Sequence, residues 1–246
     1  MVAGKTAVPS LMRMASHPVR WALLTELAGS DHRVRELAAA VDEPQNLVSY
    51  HLRLLRSAGL VDARRSSFDG RDTYYRLSLT GCTGAFREAA AALHPALAPK
   101  PVVMPAARSV LFVCTGNSAR SPMAEALLQR RGQGRIRAAS AGSHPKPHLH
   151  PDAIRIMRDR YGIDLAGRRP QPLTAVAARR FDCVITLCDK VREYAHDHGL
   201  DTTMHWSLPD PSAAGAGYRE FDRVASELDN RIEFLLPALN AYPRRR

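Results

Sequence analysis

The stretch VLFVCTGNSARSPMAEALL, from Val110 to Leu128, decides the fold of the second half of the chain. It opens with an apolar run that is typical of a buried parallel strand. The run ends at Cys114, small polar residues follow, and Ser121-Pro122 predicts the first turn of a helix. Further strands are predicted at residues 135–142, 183–187 and 203–208. This alternation predicts an α/β domain with an open parallel sheet and a ligand site at the carboxyl ends of its strands.

The loop between this strand and helix has the composition of an oxyanion site. Its backbone N–H groups can turn inward at the positive end of the helix. Arg120 adds a planar guanidinium that can hold two oxygens. Gly116 is expected to supply the unusual backbone angles of such a loop. The predicted oxyanion-binding residues are Thr115, Gly116, Asn117, Ser118, Ala119 and Arg120.

Cys114 is predicted to be a nucleophile. A free thiol has a pKa of about 8.5, and a helix N-terminus with a nearby cation can lower it to roughly 3.5–7.5. We therefore expect an ionised Cys114 at neutral pH, with the Ser121 hydroxyl donating to its sulfur. The alternative is a buried structural cysteine beside an unrelated arginine. The strand before the loop and the helix after it favour the nucleophile.

A carboxyl group is predicted near the same loop. Asp210 lies between two prolines, directly after the fourth predicted strand. A carboxyl group fixed there could protonate a leaving oxygen if a neighbouring anion raises its pKa. The alternative is an Asp-Pro turn with no chemical role, and the nearby oxyanion loop favours the acid.

The second half of the chain resembles the low-molecular-weight protein tyrosine phosphatase family and the thiol-dependent arsenate reductases of the same fold. The resemblance covers Arg108 to about Asn240 and rests on VLFVCTGNSARSPMAEAL, SAG, YGIDLAGRR, FDCVITLCD and HWSLPDP. It implies a four-stranded parallel sheet. The roles that it implies are nucleophile for Cys114, oxyanion binder for Arg120, thiolate stabiliser for Ser121, loop support for Asn117 and Ser140, and general acid for Asp210.

Two reactions fit this resemblance. A phosphatase needs the loop, Cys114 and Asp210, and water then clears the phosphocysteine. An arsenate reductase needs a second thiol that attacks Cys114, expels arsenite and forms a disulfide. Cys188 lies where the reductases keep that thiol, and DPSAAG lacks the aromatic residues that phosphatases place after Asp-Pro. Both points favour the reductase and leave the phosphatase as the alternative.

The reductant is expected to be external. Thioredoxin-coupled reductases carry a third cysteine about seven residues after the second, and here position 195 is Ala195. A small-molecule thiol or thioredoxin would then reduce a Cys114–Cys188 disulfide directly, or attack the arsenylated Cys114 itself. No cofactor is expected to be tightly bound.

The first third of the chain has the pattern of a winged helix-turn-helix. Short helical stretches lead to DEPQNLVSYHLRLLRSAGL, which is followed by a hairpin with Asp69-Gly70 at its turn. VSYHLRLLRSAGLV and GRDTYYRL resemble the ArsR family of bacterial repressors, which implies a homodimer formed through the first and last helices. The predicted DNA-binding residues are Gln45, Asn46, Ser49, Tyr50 and Arg53 on the third helix and Arg64, Arg65 and Arg71 in the hairpin.

The effector of this module is left open by the sequence. Metal-sensing members of that family carry paired cysteines on the helix that here reads RVRELAAAV, where no cysteine is present. Direct metalloid sensing there is therefore not expected, and no metal site is expected elsewhere. A third alternative for the whole chain is a repressor whose oxyanion loop binds an anion without turnover.

Composition agrees with two globular domains and anionic partners. The 246 residues carry a formal net charge of +11, which favours a polyanionic partner or an anionic substrate, with a solvated arginine-rich surface as the alternative. The two resemblances imply double-stranded DNA and an arsenate or phosphate oxyanion as these partners. The four cysteines form no zinc-type spacing, and no apolar run is long enough to span a membrane. We expect a cytoplasmic protein with a winged-helix domain at 1–94, a Pro/Ala-rich linker at 95–107 and the α/β domain at 108–246.

Overall fold

The computed structural model describes residues 8–94, 97, 108–213 and 217–239. The chain divides into two units, Met1–Pro101 and Val102–Arg246. The predicted linker lies outside the described residues except for Leu97. The finer boundaries at residues 94 and 108 therefore stay predictions.

The first unit is a winged helix-turn-helix, as the sequence predicts. Strands β2 and β3 form the hairpin, and the sheet order is β1-β3-β2 with antiparallel pairing. Arg71 donates its backbone N–H to the Asp69 carboxylate, which fixes the hairpin turn at Asp69-Gly70. Its elements are α1 (Ser10–Ala15), α2 (Pro18–Gly29), β1 (His32–Arg33), α3 (Val34–Val41), α4 (Gln45–Ser57), β2 (Val61–Arg65), β3 (Thr73–Leu77) and α5 (Leu79–Leu93).

The core of this unit follows from the helical spacing of its apolar residues. On α4, Val48, Leu52 and Leu55 form an apolar stripe and are fully buried. Gly59 ends this helix region with a left-handed backbone angle, φ 70°. The opposite face of α4 is therefore left for solvent or a ligand.

The second unit is an α/β domain with a four-stranded, all-parallel sheet. The strand order is β5-β4-β6-β7, which confirms the predicted fold class. The observed strands are somewhat shorter than the sequence predicts. Its elements are β4 (Arg108–Cys114), α6 (Arg120–Arg131), β5 (Ile136–Gly142), α7 (Pro151–Tyr161), a 3₁₀ helix (Leu173–Val176), β6 (Cys183–Thr186), α8 (Asp189–Asp197), β7 (Met204–His205) and α9 (Tyr218–Ala238).

Strand β4 is central and every one of its residues is buried. Its Phe112 ring packs against Trp206, with ring centroids 5.9 Å apart. Val113 pairs with Thr186 of β6, so the segments that follow these two strands leave the sheet at the same edge. The parallel pairing thereby brings Cys114 and Cys188 to one site.

None of the helices in the described part of the chain is both long and apolar enough to cross a membrane.

Candidate active site and nucleic-acid interface

The carbonyl oxygens of the Cys114 loop, residues 114–120, accept hydrogen bonds from a neighbouring segment. The carbonyls of residues 114, 115, 116 and 118 accept backbone N–H groups from the segment 143–150, at 3.3, 2.9, 2.9 and 2.8 Å. In a trans peptide the N–H points opposite to the C=O, and the structure contains no cis peptide among its described residues. The amides of residues 115, 116, 117 and 119 therefore face away from that segment, into the concave side of the loop. This backbone arrangement fits the oxyanion cradle that the sequence predicts, and anion binding there stays a prediction.

Asn117 supplies the left-handed turn of the loop, with φ 43°. The prediction that Gly116 takes this role is wrong, because Gly116 has no positive φ. Asn tolerates the left-handed region, and here its side chain is fixed at both ends. Its Oδ1 accepts the Gln171 N–H at 2.7 Å, and its Nδ2 donates to Ser121 Oγ at 2.8 Å. Gly116 instead provides space, because a Cβ there would lie 3.3 Å from Lys146 Cγ.

The Cys114 thiol contacts the Ser121 hydroxyl at the start of α6. The two atoms lie 3.0 Å apart. Because Ser121 Oγ already accepts from Asn117, its hydrogen is free to donate to the sulfur. Asn117, Ser121 and Cys114 thus form a chain of hydrogen bonds that ends on the sulfur.

The pKa of Cys114 differs in direction from the sequence prediction. Burial raises the pKa of this thiol, the Arg120 guanidinium lowers it, Cys188 raises it and the Ser121 hydrogen bonds lower it. The net direction is upward, because the sulfur lies at the end of a fully buried strand. The prediction of a lowered value counted the local charges and left out this loss of solvation.

Arg120 is buried and links the loop to the segment after β7. Its Nη1 donates to the Leu208 carbonyl at 3.2 Å, and its Nη2 lies 3.5 Å from the Asp210 carboxylate. Burial raises the pKa of Asp210. The charge of Arg120, the hydrogen bonds from Ser212 and the charge of Lys146 lower it, and the net direction is downward. The raised pKa considered for Asp210 depends on a bound anion that offsets the Arg120 charge, and it stays a prediction. Asp210 does lie beside the loop, as the sequence predicts.

Cys188 lies directly before α8 and is buried. Its Sγ is 3.3 Å from Thr115 Oγ1, so the second thiol contacts the oxyanion loop itself. Cys183 is also buried, on β6, and Ala195 is buried on α8. All four cysteines are free thiols.

Ser140, which the resemblance pairs with Asn117 as loop support, bonds to α6. Its hydroxyl donates to the Glu125 carboxylate at 2.7 Å, and Arg168 binds the same carboxylate at 2.9 Å. The bond to Asn117 Oδ1 comes from the Gln171 backbone instead. In the described part of the chain, no group of three or more His, Cys, Asp or Glu side chains is arranged to hold a metal ion.

Sequence reasoning missed a buried polar cluster beside Cys188. Asp189 accepts the Ser207 hydroxyl at 2.6 Å and lies 3.3 Å from His205 Nε2. His205 Nδ1 lies 2.9 Å from the Thr186 hydroxyl. The sequence signals were present, a charged residue directly after Cys188 and a histidine in HWSLPDP, but they are distant in the chain.

The predicted DNA-binding residues of α4 share one exposed face. The Arg53 guanidinium lies over the Tyr50 ring, 5.6 Å from its centroid. In the hairpin, Arg64 and Arg65 donate to the backbone carbonyls of Arg65 and Gly70. The other exposed predicted residues are Gln45, Asn46, Ser49 and Arg71.

The fold and the loop together define an α/β domain with a cysteine-centred oxyanion site, which follows a winged helix-turn-helix unit. The chain belongs to the low molecular weight phosphotyrosine protein phosphatase family, whose model matches residues 109–244. Residues 17–63 match the model of the bacterial regulatory protein, arsR family. The chain is therefore a fusion of the two, as the sequence resemblance implies.

Similar proteins align with the second unit. The glutaredoxin arsenate reductase of Synechocystis is 31% identical over 134 residues, which is 54% of this chain and 99% of that protein. An arsenate reductase of Bacillus cereus is 33% identical over 127 residues, 51% of this chain and 92% of that protein. A solved structure described as an arsenate reductase in the phosphate binding state is 32% identical, covers 54% of this chain and 98% of its own, and has a TM-score of 0.46.

Proposed function

We propose that the chain is a thiol-dependent arsenate reductase fused to a DNA-binding transcriptional regulator, with a role in arsenic detoxification. The observation that carries the enzymatic part is the second thiol. Cys188 Sγ lies 3.3 Å from Thr115 Oγ1, so a sulfur stands at the rim of the loop that holds Cys114. A phosphatase has no use for this thiol, whereas a reductase requires it. The relatives named arsenate reductase support the same assignment.

The first step is attack on a bound arsenate. The inward amides of the loop and the Arg120 guanidinium hold its oxygens. The Cys114 thiolate forms a bond to arsenic, and one oxygen leaves as water after taking up protons. Asp210 lies near Arg120, and an arsenate bound to that guanidinium offsets its charge, raises the pKa of the carboxyl group and lets it deliver a proton to that leaving oxygen. Ser121 stabilises the negative sulfur before attack.

The second step is reduction. The Cys188 thiolate attacks Cys114 sulfur and forms a disulfide, and the sulfur–arsenic bond breaks. The electron pair of that bond stays on arsenic, which leaves as arsenite. Two thiols are oxidised and one As(V) is reduced to As(III). Ala195 offers no third thiol on α8, so an external thiol, either a small molecule or a thioredoxin- or glutaredoxin-type protein, restores the enzyme. A reducing cytoplasm keeps these thiols available.

Arsenate turnover tests this proposal. Full-length protein with different thiol donors is expected to convert arsenate to arsenite, and Cys188→Ser is expected to abolish it. Cys82→Ser, in the other unit, is the matched control and should turn over normally. Unchanged turnover in Cys188→Ser would show that the external thiol attacks the arsenylated Cys114 directly.

A phosphatase is the second candidate, favoured by the family model and by the Asp210 carboxylate beside Arg120. In that case p-nitrophenyl phosphate is cleaved rapidly, arsenate only competes, and Asp210→Asn slows hydrolysis. Slow cleavage together with arsenite production would reject it.

The winged-helix unit is proposed to bind an operator as a homodimer. The exposed face of α4 fits the major groove, and the arginines of the hairpin would contact the DNA backbone. Apolar side chains on the first and last helices, Met12, Phe86 and Leu93, are 42%, 51% and 74% exposed and favour a dimer through these helices. Affinity should fall steeply with salt, and Arg53→Ala should reduce the salt slope by about 1 if it contacts a phosphate.

An oxyanion-sensing regulator without turnover is distinguished by gel shift. DNA affinity would change on addition of arsenate, phosphate or arsenite while no arsenite is produced. Constant affinity in all three series would reject sensing and leave the two separate activities.

A further inference from the structure

A buried carboxylate connects Cys188 to the segment that holds the Arg120 guanidinium. Asp189 is 1% exposed and lies at the first position of α8, directly after Cys188. A carboxylate at a helix N-terminus interacts favourably with the helix dipole, and an exposed one would do so as well. Burying the charge costs free energy unless donors surround it. Its burial therefore points to a role beyond stabilising the start of α8.

The donors that surround Asp189 come from the segment after the neighbouring strand. Ser207 donates its hydroxyl at 2.6 Å, and His205 Nε2 lies at 3.3 Å. Because a carboxylate only accepts, Nε2 carries the hydrogen. Nδ1 lies 2.9 Å from the Thr186 hydroxyl and 3.2 Å from the Thr186 carbonyl oxygen, so it accepts from the hydroxyl in a neutral ring and donates to the carbonyl in a protonated one. The cluster is thus closed around Asp189 by residues of β6 and β7.

The same segment holds the oxyanion arginine. Ser207 is followed by Leu208, whose carbonyl accepts Arg120 Nη1 at 3.2 Å, and two residues later by Asp210, 3.5 Å from Arg120 Nη2. Asp189 is therefore the chain neighbour of Cys188, which carries the second thiol. Its carboxylate is also hydrogen-bonded to the segment that orients the Arg120 guanidinium.

We propose that Asp189 is a positioning residue that fixes the Cys188 sulfur for attack on Cys114, with His205 and Ser207 as its partners. This inference rests on the proposed reductase function. It acts on the second step, in which the Cys188–Cys114 bond forms and the sulfur–arsenic bond breaks with its electron pair left on arsenic. The first step uses Cys114, Arg120 and the loop amides, and there the Asp189 charge only adds to those that favour the protonated Arg120 guanidinium.

The test compares disulfide formation with oxyanion binding in the full-length protein. Reduced Asp189→Asn is mixed with one dose of arsenate, quenched with N-ethylmaleimide, and the Cys114–Cys188 disulfide is measured by mass spectrometry. Asn keeps an acceptor for Ser207 but presents an N–H to His205. We expect the rate to fall at least about 10-fold, the loss of roughly one hydrogen bond to a charged group. Asp197→Asn, on the exposed end of the same helix, is the matched control and should retain the wild-type rate.

Oxyanion binding gives the second readout. The concentration of phosphate that protects Cys114 from alkylation should change less than about threefold in Asp189→Asn. A parallel loss of rate and protection would overturn the proposal, because Asp189 would then only stabilise the fold. An unchanged disulfide rate would overturn it as well. Ser207→Ala, which leaves the charge in place, should show a smaller loss of rate in the same direction if Asp189→Asn does not fold.

Oxidation with diamide separates this inference from the proposed function. Diamide oxidises the two thiols without arsenate. If wild-type protein forms the Cys114–Cys188 disulfide at least about 10-fold faster than Asp189→Asn under diamide, but yields no arsenite from arsenate, the positioning role stands and the reductase proposal fails. Equal diamide rates would overturn the positioning role even if arsenate is reduced.

Discussion

Removal of the Ser121 hydroxyl should slow the chemistry of Cys114 by a calculable amount. Ser121 Oγ lies 3.0 Å from Cys114 Sγ and is itself fixed by Asn117. Burial raises the pKa of Cys114, and Ser121 is one of two groups that lower it, so Ser121→Ala raises the pKa further. A hydrogen bond to a charged group contributes about 1.5–3 kcal/mol, and about 1.4 kcal/mol is a factor of ten. At neutral pH, below the raised pKa of Cys114, the fraction of Cys114 present as thiolate should be roughly 10- to 150-fold lower in Ser121→Ala than in wild type.

The assay is the rate of alkylation of Cys114 by iodoacetamide as a function of pH. Mass spectrometry of the peptide that contains Cys114 separates it from the other three thiols. Ser143→Ala is the control, because its hydroxyl contacts His144 Nδ1 and not the sulfur. A Ser121→Ala rate equal to that of wild type across the pH range would refute the hydrogen bond as a source of thiolate stabilisation.

Other perturbations give results that follow from the same geometry. Arg120→Lys loses the planar fork, so the KM for arsenate should rise roughly 10- to 150-fold in steady-state assays, the loss of about one charge-assisted hydrogen bond. Phe112→Ala empties a fully buried site against Trp206 and should lower the free energy of unfolding by roughly 3–5 kcal/mol in urea titrations. Burial, then His17 and Arg20, lower the pKa of His51, so the folded chain binds this proton at a lower pH than the unfolded chain, in which the ordinary pKa is 6.5. Stability should therefore fall as pH drops below about 6.5, and His51→Gln should flatten that fall in denaturant titrations of the first unit.

The class of fold and the main chemical residues could be predicted from local sequence. An apolar run that ends in a cysteine, a small polar loop and a helix start are contiguous, and each depends on backbone preferences within a few residues. The strand–loop–helix unit with Cys114 and Arg120 follows from such preferences. The hairpin at Asp69-Gly70 and the apolar stripe of α4 follow in the same way.

The tertiary structure decided what depends on groups that are distant in the chain. The pKa of Cys114 differs in direction from the sequence expectation, because the burial that raises it depends on several elements of the fold. Asn117 is held in the left-handed turn because the backbone N–H of Gln171, far along the chain, donates to its side-chain Oδ1. The sheet order places Thr186 opposite His205 and so assembles the Asp189 cluster. Local sequence specifies which residues can do chemistry, whereas their solvation and partners exist only after the strands have paired.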